Sequence, residues 1–226
     1  MNRLEVFADR DRLADGAADV LADALSRPRR ASLVVPGGTT PGPTYDRLAT
    51  RDLAWPQITV TPGDERWVDP ASPDSNEGMI RRRLLTGKAA AARFFPLKAN
   101  GASPEADAAA AEAGLRALLP FSAVLVGMGA DGHVGSLFPG LAPPAALDPA
   151  SGTLCIGVDE AGLAPKVPRI TLTIAAMRAS RLIVLLISGE DKRAVVERVQ
   201  ADEAFSPPVS RLLRQEGTPV RILWAP

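Results

Sequence analysis

The sequence predicts a doubly wound α/β fold, with a mostly parallel sheet and helices on both of its faces, occupying residues 1–226 as one domain. Three observations carry this expectation. Short apolar or β-branched runs alternate with helical patterns along the chain. One of those runs, LIVLLI at Leu182 to Ile187, is apolar without alternation, as a strand covered on both faces requires. No linker-like stretch and no internal repeat divides the chain.

The elements follow in order. Leu13, Ala17, Val20, Leu21, Ala24 and Leu25 recur at helical spacing and predict a helix over Asp11 to Leu25. Ser32 to Val35 reads as a strand, stopped at once by PGGTTPGPTY, in which Pro43 suits the first turn of a second helix. A strand at Ile58 to Thr61 leads into the polar segment PGDERWVDPASPDSNEG, a loop of a length that is often functional. Ser75 or Asp74 can cap the helix Asn76 to Leu85, whose arginine-rich face is either solvated or a binder of anions. Phe94 to Leu97 is a short strand candidate, and Ser103, Pro104 and Glu105 open an alanine-rich helix running to Leu119. Ala123 to Val126 is the central strand. The proline-rich stretch after Gly140 excludes helix and interior strand and is expected to cross the surface. Strands at Thr153 to Val158, Arg169 to Ile174 and Leu182 to Ile187 follow, then a helix from Asp191 to Gln200, a short helix from Val209 to Arg214 and a last strand from Val220 to Trp224.

Composition narrows the function. Lysine plus arginine and aspartate plus glutamate both number 26, so no general field favours nucleic acid or an anionic membrane. No apolar run approaches the roughly 18 residues of a membrane span, and the first residues lack the pattern of a signal peptide. A cytoplasmic protein is expected. Cys155 stands alone in an apolar segment, as a buried core residue would. With one histidine and one cysteine no common zinc ligand set can be assembled, so the chemistry is expected to be metal-free or to use a weakly held ion.

The candidate chemistry gathers at the C-terminal ends of the expected strands, where an open parallel sheet collects ligands. Gly37, Gly38, Thr39 and Thr40 precede a helix and suit an anion, because glycines admit close approach of backbone amides to which the helix N-terminus adds donors. The same letters fit a tight turn with a threonine cap. Asp64, Glu65 and Arg66 place two carboxylates and a guanidinium at another strand end, or form a solvated turn. Residues 127–136 hold the only histidine. Their GxGxxG spelling is not a dinucleotide loop, because Pro139, Pro143, Pro144 and Pro149 follow where a helix must begin. His133 can act as a general base, since an ordinary imidazole with a pKa of about 6.5 is largely neutral near pH 7. Asp131 can orient its ring. A hydrogen-bonded structural histidine is the plainer alternative. Gly132 and Ser136, in the same loop, are candidate substrate contacts, as are Asp64 and Glu65. Lys192 sits at a strand-to-helix junction, where an ammonium can meet a phosphate, and Arg169 precedes a strand-like TLTI run.

Four segments in this order, VVPGGTTPGPTY, TPGDERWVDPASPDSN, VLVGMGADGHVGSLFPG and PRITLT leading to ISGEDK, resemble the 6-phosphogluconolactonase family. The likeness runs from about Leu4 to Arg198. Sugar-phosphate deaminases of the same superfamily share a GxDGH loop, but an Asn-Glu-Pro run follows there where this chain has Ser136-Leu137-Phe138-Pro139. Pro36 and Thr39 stand where the family often has serines, and Val134-Gly135 where it often has Thr-Ala.

The resemblance implies a Rossmann-like sheet of the sugar-phosphate isomerase and deaminase kind and a cofactor-free enzyme of the pentose phosphate pathway. Its partner would be a small sugar phosphate, phosphogluconolactone, and the enzyme a monomer or small homo-oligomer. It also implies His133 as the base that activates water, Gly37 to Thr40 and Lys192 as phosphate contacts, and Arg66 and Arg169 near the substrate. Two other functions remain open on the sequence: glucosamine-6-phosphate isomerisation and deamination, with Asp64 or Glu65 as the base, and a non-catalytic sugar-phosphate-binding module.

Overall fold

The computed structural model describes residues 4–159 and 165–226. The chain enters through β1 (Leu4–Val6) and α1 (Arg10–Ser26), capped by Asp9, whose carboxylate accepts from the Arg12 amide at 2.7 Å. It continues through β2 (Ala31–Val35), α2 (Gly42–Ala49), β3 (Ile58–Pro62) and β4 (Asp64–Arg66). Next comes α3 (Asn76–Arg83), where Ser75 is the cap and accepts from the Gly78 amide at 3.1 Å. β5 (Arg93–Phe94) precedes α4 (Pro104–Ala117), which opens on Ser103 and Pro104 as its sequence predicts. The second half runs β6 (Ala123–Val126), α5 (Pro144–Leu147), β7 (Cys155–Val158), β8 (Arg169–Leu172), α6 (Ile174–Arg178), β9 (Ile183–Ser188), α7 (Glu190–Ala201), α8 (Ser210–Leu213) and β10 (Val220–Ala225).

Seven strands form the central sheet in the order β1-β10-β9-β6-β2-β3-β5, and every pairing in it is parallel. Alternation along the strands sends side chains to two cores. Leu33, Val35, Ala123, Leu125, Val184 and Leu186 pack under α1, α2 and α3 on one face. Val34, Val124, Val126, Ile183, Leu185 and Ile187 pack on the other face against α4, α6, α7 and α8. β9 is buried along its whole length, as its unbroken apolar run requires. The fold is thus α/β with a mostly parallel sheet and helices on both faces. No helix of the described residues is long and apolar enough to cross a membrane.

The strand order reverses between β2 and β6. From β2 the chain winds outward through β3 and β5, and from β6 it winds the other way through β9 and β10. Loops at such a switch point diverge and leave a crevice beyond the C-terminal strand ends. The loops after β2 and β6 are the two glycine-rich segments singled out above.

Several expectations need correction. The runs read as strands at 153–158 and 169–174 do not join the central sheet. They form β7 and β8 of a second, antiparallel sheet in the order β4-β8-β7. Its third strand is the DER triplet, read above as a loop. Pairing with β8 decides its conformation, overriding its weak strand propensity. The segment after Gly140 contains one helical turn, α5, because Pro144 occupies the first turn, where a missing N–H costs nothing. The expected strand at 94–97 shrinks to β5, and β1 and the short α6 carried too little pattern to be read.

Candidate active site

A cleft of about 280 Å³ opens at the switch point. Gly37, Gly38, Thr39 and Thr40 line it from the β2–α2 loop, and Gly127, Met128, Gly129 and His133 from the loop after β6. Asp64, Arg66 and Arg169 line it from the second sheet, Asn76 from α3 and Lys192 from α7.

The first loop is shaped for close approach. Gly38 has φ +96°, and a Cβ built on it would meet nothing within 4 Å, so its backbone faces open space. Pro41 precedes α2 and supplies no side-chain cap, which leaves the helix's first amides available. The buried Tyr45 hydroxyl anchors the loop by donating to the Pro36 carbonyl at 2.5 Å. Burial, reinforced by Asp64, pushes that phenol well above its ordinary pKa, so it stays a donor. On the opposite wall α7 begins after Gly189, at φ +93° and again without a side-chain cap, and carries Lys192 in its first turn.

The loop after β6 presents the imidazole. The Asp131 carboxylate accepts from His133 Nδ1 at 2.6 Å and from the His133 amide at 3.1 Å. A carboxylate partner requires the proton on Nδ1, leaving Nε2 as the basic nitrogen. Gly129 lies beneath the pair: a Cβ there would come within 2.2 Å of His133 Nδ1 and 2.6 Å of Asp131 Oδ1. Phe138 packs on the imidazole with ring centroids 4.9 Å apart.

The second sheet contributes charge. The β4–β8 register sets Arg66 directly opposite Arg169, and both line the cleft. Like charges facing each other across a strand pair are unfavourable. Here Asp64 offsets part of that cost, and an anion in the cleft would offset more. Arg169 is buried, lies 5.4 Å from the Phe138 ring centroid, and donates to the Pro165 carbonyl at 3.1 Å. Desolvation, followed by Arg66, draws its pKa down, while Asp64 raises it. Arg66 donates to the Asp74 carbonyl at 2.6 Å, and its buried Nε takes no partner among the described residues.

Three residues read above as substrate contacts do not line the cleft. Glu65 is buried beneath α3, where its carboxylate accepts from the Arg66, Asn76 and Glu77 amides at 2.8, 2.7 and 2.6 Å and from the Ser75 hydroxyl at 3.2 Å. It satisfies a helix N-terminus and has no lone pair to spare for a ligand. Ser136 is buried and donates to Asp64 Oδ2 at 2.7 Å, so it acts on the cleft wall from behind. Gly132, at φ +81°, packs on Pro207 and accepts from the Val209 amide at 3.0 Å, which fixes the loop. Asn76 was missed in the sequence, where it signalled only the first turn of a helix. Cys155 is buried, and burial followed by Glu112 raises its thiol pKa far above the ordinary range.

A family model for glucosamine-6-phosphate isomerases/6-phosphogluconolactonase matches residues 8–224. The chain belongs to this family. Within it, the chain is 45% identical over 228 residues to a 6-phosphogluconolactonase of Caulobacter vibrioides, with 99% of this chain and 97% of that one covered. A 6-phosphogluconolactonase of Mesorhizobium japonicum is 40% identical over 226 residues, covering 97% and 94%. The crystal structure of a 6-phosphogluconolactonase from Shewanella baltica superposes with a TM-score of 0.91 at 32% identity, covering 100% of this chain and 98% of that one.

Proposed function

We propose that this protein hydrolyses 6-phospho-D-glucono-1,5-lactone to 6-phospho-D-gluconate, a cytoplasmic step of the oxidative pentose phosphate pathway, with His133 as the general base. The observation that carries the reading is the Asp131–His133 pair at 2.6 Å on the wall of a cleft that also holds two opposed arginines. Two of its relatives are named 6-phosphogluconolactonase. The substrate phosphate is held by the amides of Gly37 to Thr40 at the α2 N-terminus, with Lys192 as a point charge. That anchorage fixes C1 of the lactone over the imidazole.

His133 Nε2 takes a proton from water as the water oxygen attacks C1. The carbonyl becomes a tetrahedral oxyanion, steadied by Arg66 or by loop amides. Collapse reforms the carbonyl and breaks the bond from C1 to the ring oxygen, which leaves with the proton from the imidazolium. The new carboxyl group loses its proton to solvent. Asp131 holds the reactive tautomer and stabilises the imidazolium. General-base assistance of this kind contributes about 10²- to 10⁴-fold in rate.

Isomerisation of glucosamine 6-phosphate would need a carboxylate free to take a carbon-bound proton. Asp64 already accepts from Ser136 at 2.7 Å and from Asn76 at 3.1 Å, and Glu65 is capped beneath α3. The test is the disappearance of freshly prepared 6-phosphogluconolactone against its spontaneous hydrolysis. Protein-dependent acceleration that saturates with substrate is expected. A rate equal to the spontaneous one, or ammonia release from glucosamine 6-phosphate, would overturn the reading.

A further inference from the structure

Asn76 sits at the floor of the cleft, 2% exposed, on the first turn of α3. Its Nδ2 donates twice to Asp64, to the main-chain carbonyl at 2.8 Å and to carboxylate Oδ1 at 3.1 Å. Both partners are acceptors only, so the amide cannot be turned over, and Oδ1 must point the other way. There it meets Gly37: a Cβ on that residue would fall 1.9 Å from Oδ1, so only glycine leaves the oxygen room. Among the described residues no donor reaches Oδ1, while the remaining Asn76 groups are all committed.

Asn76 Oδ1 and the Asp64 carboxylate form an acceptor corner in a cleft otherwise lined by cations, His133, the threonine hydroxyls and backbone amides, of which the cations and amides suit phosphate and oxyanion. A phosphate dianion has only acceptors to offer and would be repelled by an amide oxygen. A sugar hydroxyl is the donor that satisfies it. We propose that Asn76 Oδ1, backed by the Asp64 carboxylate, accepts a hydroxyl of the sugar ring and makes the enzyme selective for lactones that carry it. The proposal rests on the lactonase reading and names the part of the cleft that recognises the ring and leaves the phosphate to its own contacts. Buried polar groups left unpaired by an analogue lacking the hydroxyl are what give such a site its discrimination.

The test compares kcat/KM for 6-phosphogluconolactone and its 2-deoxy, 3-deoxy and 4-deoxy analogues, in the wild type and in Asn76→Ala. In the wild type one analogue is expected to fall by about 10- to 100-fold, and Asn76→Ala to lower the parent to nearly the same level, so that the ratio approaches one. A merely structural role for Asn76 would depress all substrates together and leave the ratio intact, and that result overturns the proposal. So does a wild type indifferent to every analogue. Should Asn76→Ala not fold, Gly37→Ala, whose Cβ would fall 1.9 Å from Oδ1, displaces the oxygen from its other side and must likewise bring the ratio toward one. If the wild type does not turn over the parent at all, the lactonase reading fails on its own. Competition binding of 6-phosphogluconate and its deoxy analogues then decides the hydroxyl contact by the same ratios.

Discussion

At the scale of single residues, the Asp131–His133 pair depends on one hydrogen bond and one glycine. Replacing Asp131 by Asn exchanges an acceptor-only carboxylate for an amide whose NH2 can donate to Nδ1, so the tautomer with Nε2 free is no longer selected. Asp131→Asn is expected to cut kcat by about 10²- to 10⁴-fold with little change in KM, measured by steady-state kinetics on fresh lactone. Gly129 has no side chain to act in the chemistry, yet a Cβ there would lie 2.2 Å from His133 Nδ1. Gly129→Ala is therefore expected to displace the ring and cost about 10- to 100-fold in kcat while thermal unfolding stays close to wild type. A variant with unchanged kcat would show that the ring has room to move. His133 and Asp131 were legible in the sequence because their contact is local, two positions apart across a glycine. The role of Asn76 was not, because it depends on contacts with Asp64 and Gly37 that only the folded chain creates. For the same reason the letters of Ser136 and Glu65 suggested ligand contacts, whereas in the fold the Ser136 hydroxyl is buried against Asp64 and the Glu65 carboxylate is filled by donors at the start of α3.

At the scale of elements, α3 is held to the second sheet through Glu65. Its carboxylate gathers the Asn76 and Glu77 amides and the Ser75 hydroxyl, all at the helix N-terminus. Glu65→Ala strands these buried donors and is expected to destabilise the fold by about 1–3 kcal/mol, read by chemical denaturation. Desolvation raises the Glu65 carboxyl pKa, opposed by those same amides. The folded state therefore binds this proton more tightly than the unfolded chain, and the group's contribution to stability declines as pH rises through its folded pKa. The stability gap between wild type and Glu65→Ala should accordingly be wider at about pH 4 than at about pH 7; a gap that widens with pH contradicts this. Among the elements, those with a cap and a period, α1 and α4, were legible to within a few residues. β4 was not, since a charged triplet becomes a strand only when β8 is beside it.

At the scale of the whole molecule, two sheets share the work. The parallel sheet brings the glycine loops after β2 and β6 together at its switch point, and the antiparallel sheet lays Arg66 and Arg169 across the opening. Alternating runs and glycine breaks made the first sheet and its ligand-collecting edge readable. The second stayed hidden because apolar runs record burial and not the sheet to which a strand belongs. The central claim is that His133 supplies the base for lactone hydrolysis in this cleft. The direct measurement is kcat for 6-phosphogluconolactone in His133→Ala, after subtraction of spontaneous hydrolysis, with circular dichroism to check the fold. Native secondary structure and a kcat lowered by about 10²- to 10⁴-fold are expected; a folded variant that retains near-normal kcat would contradict the role of His133.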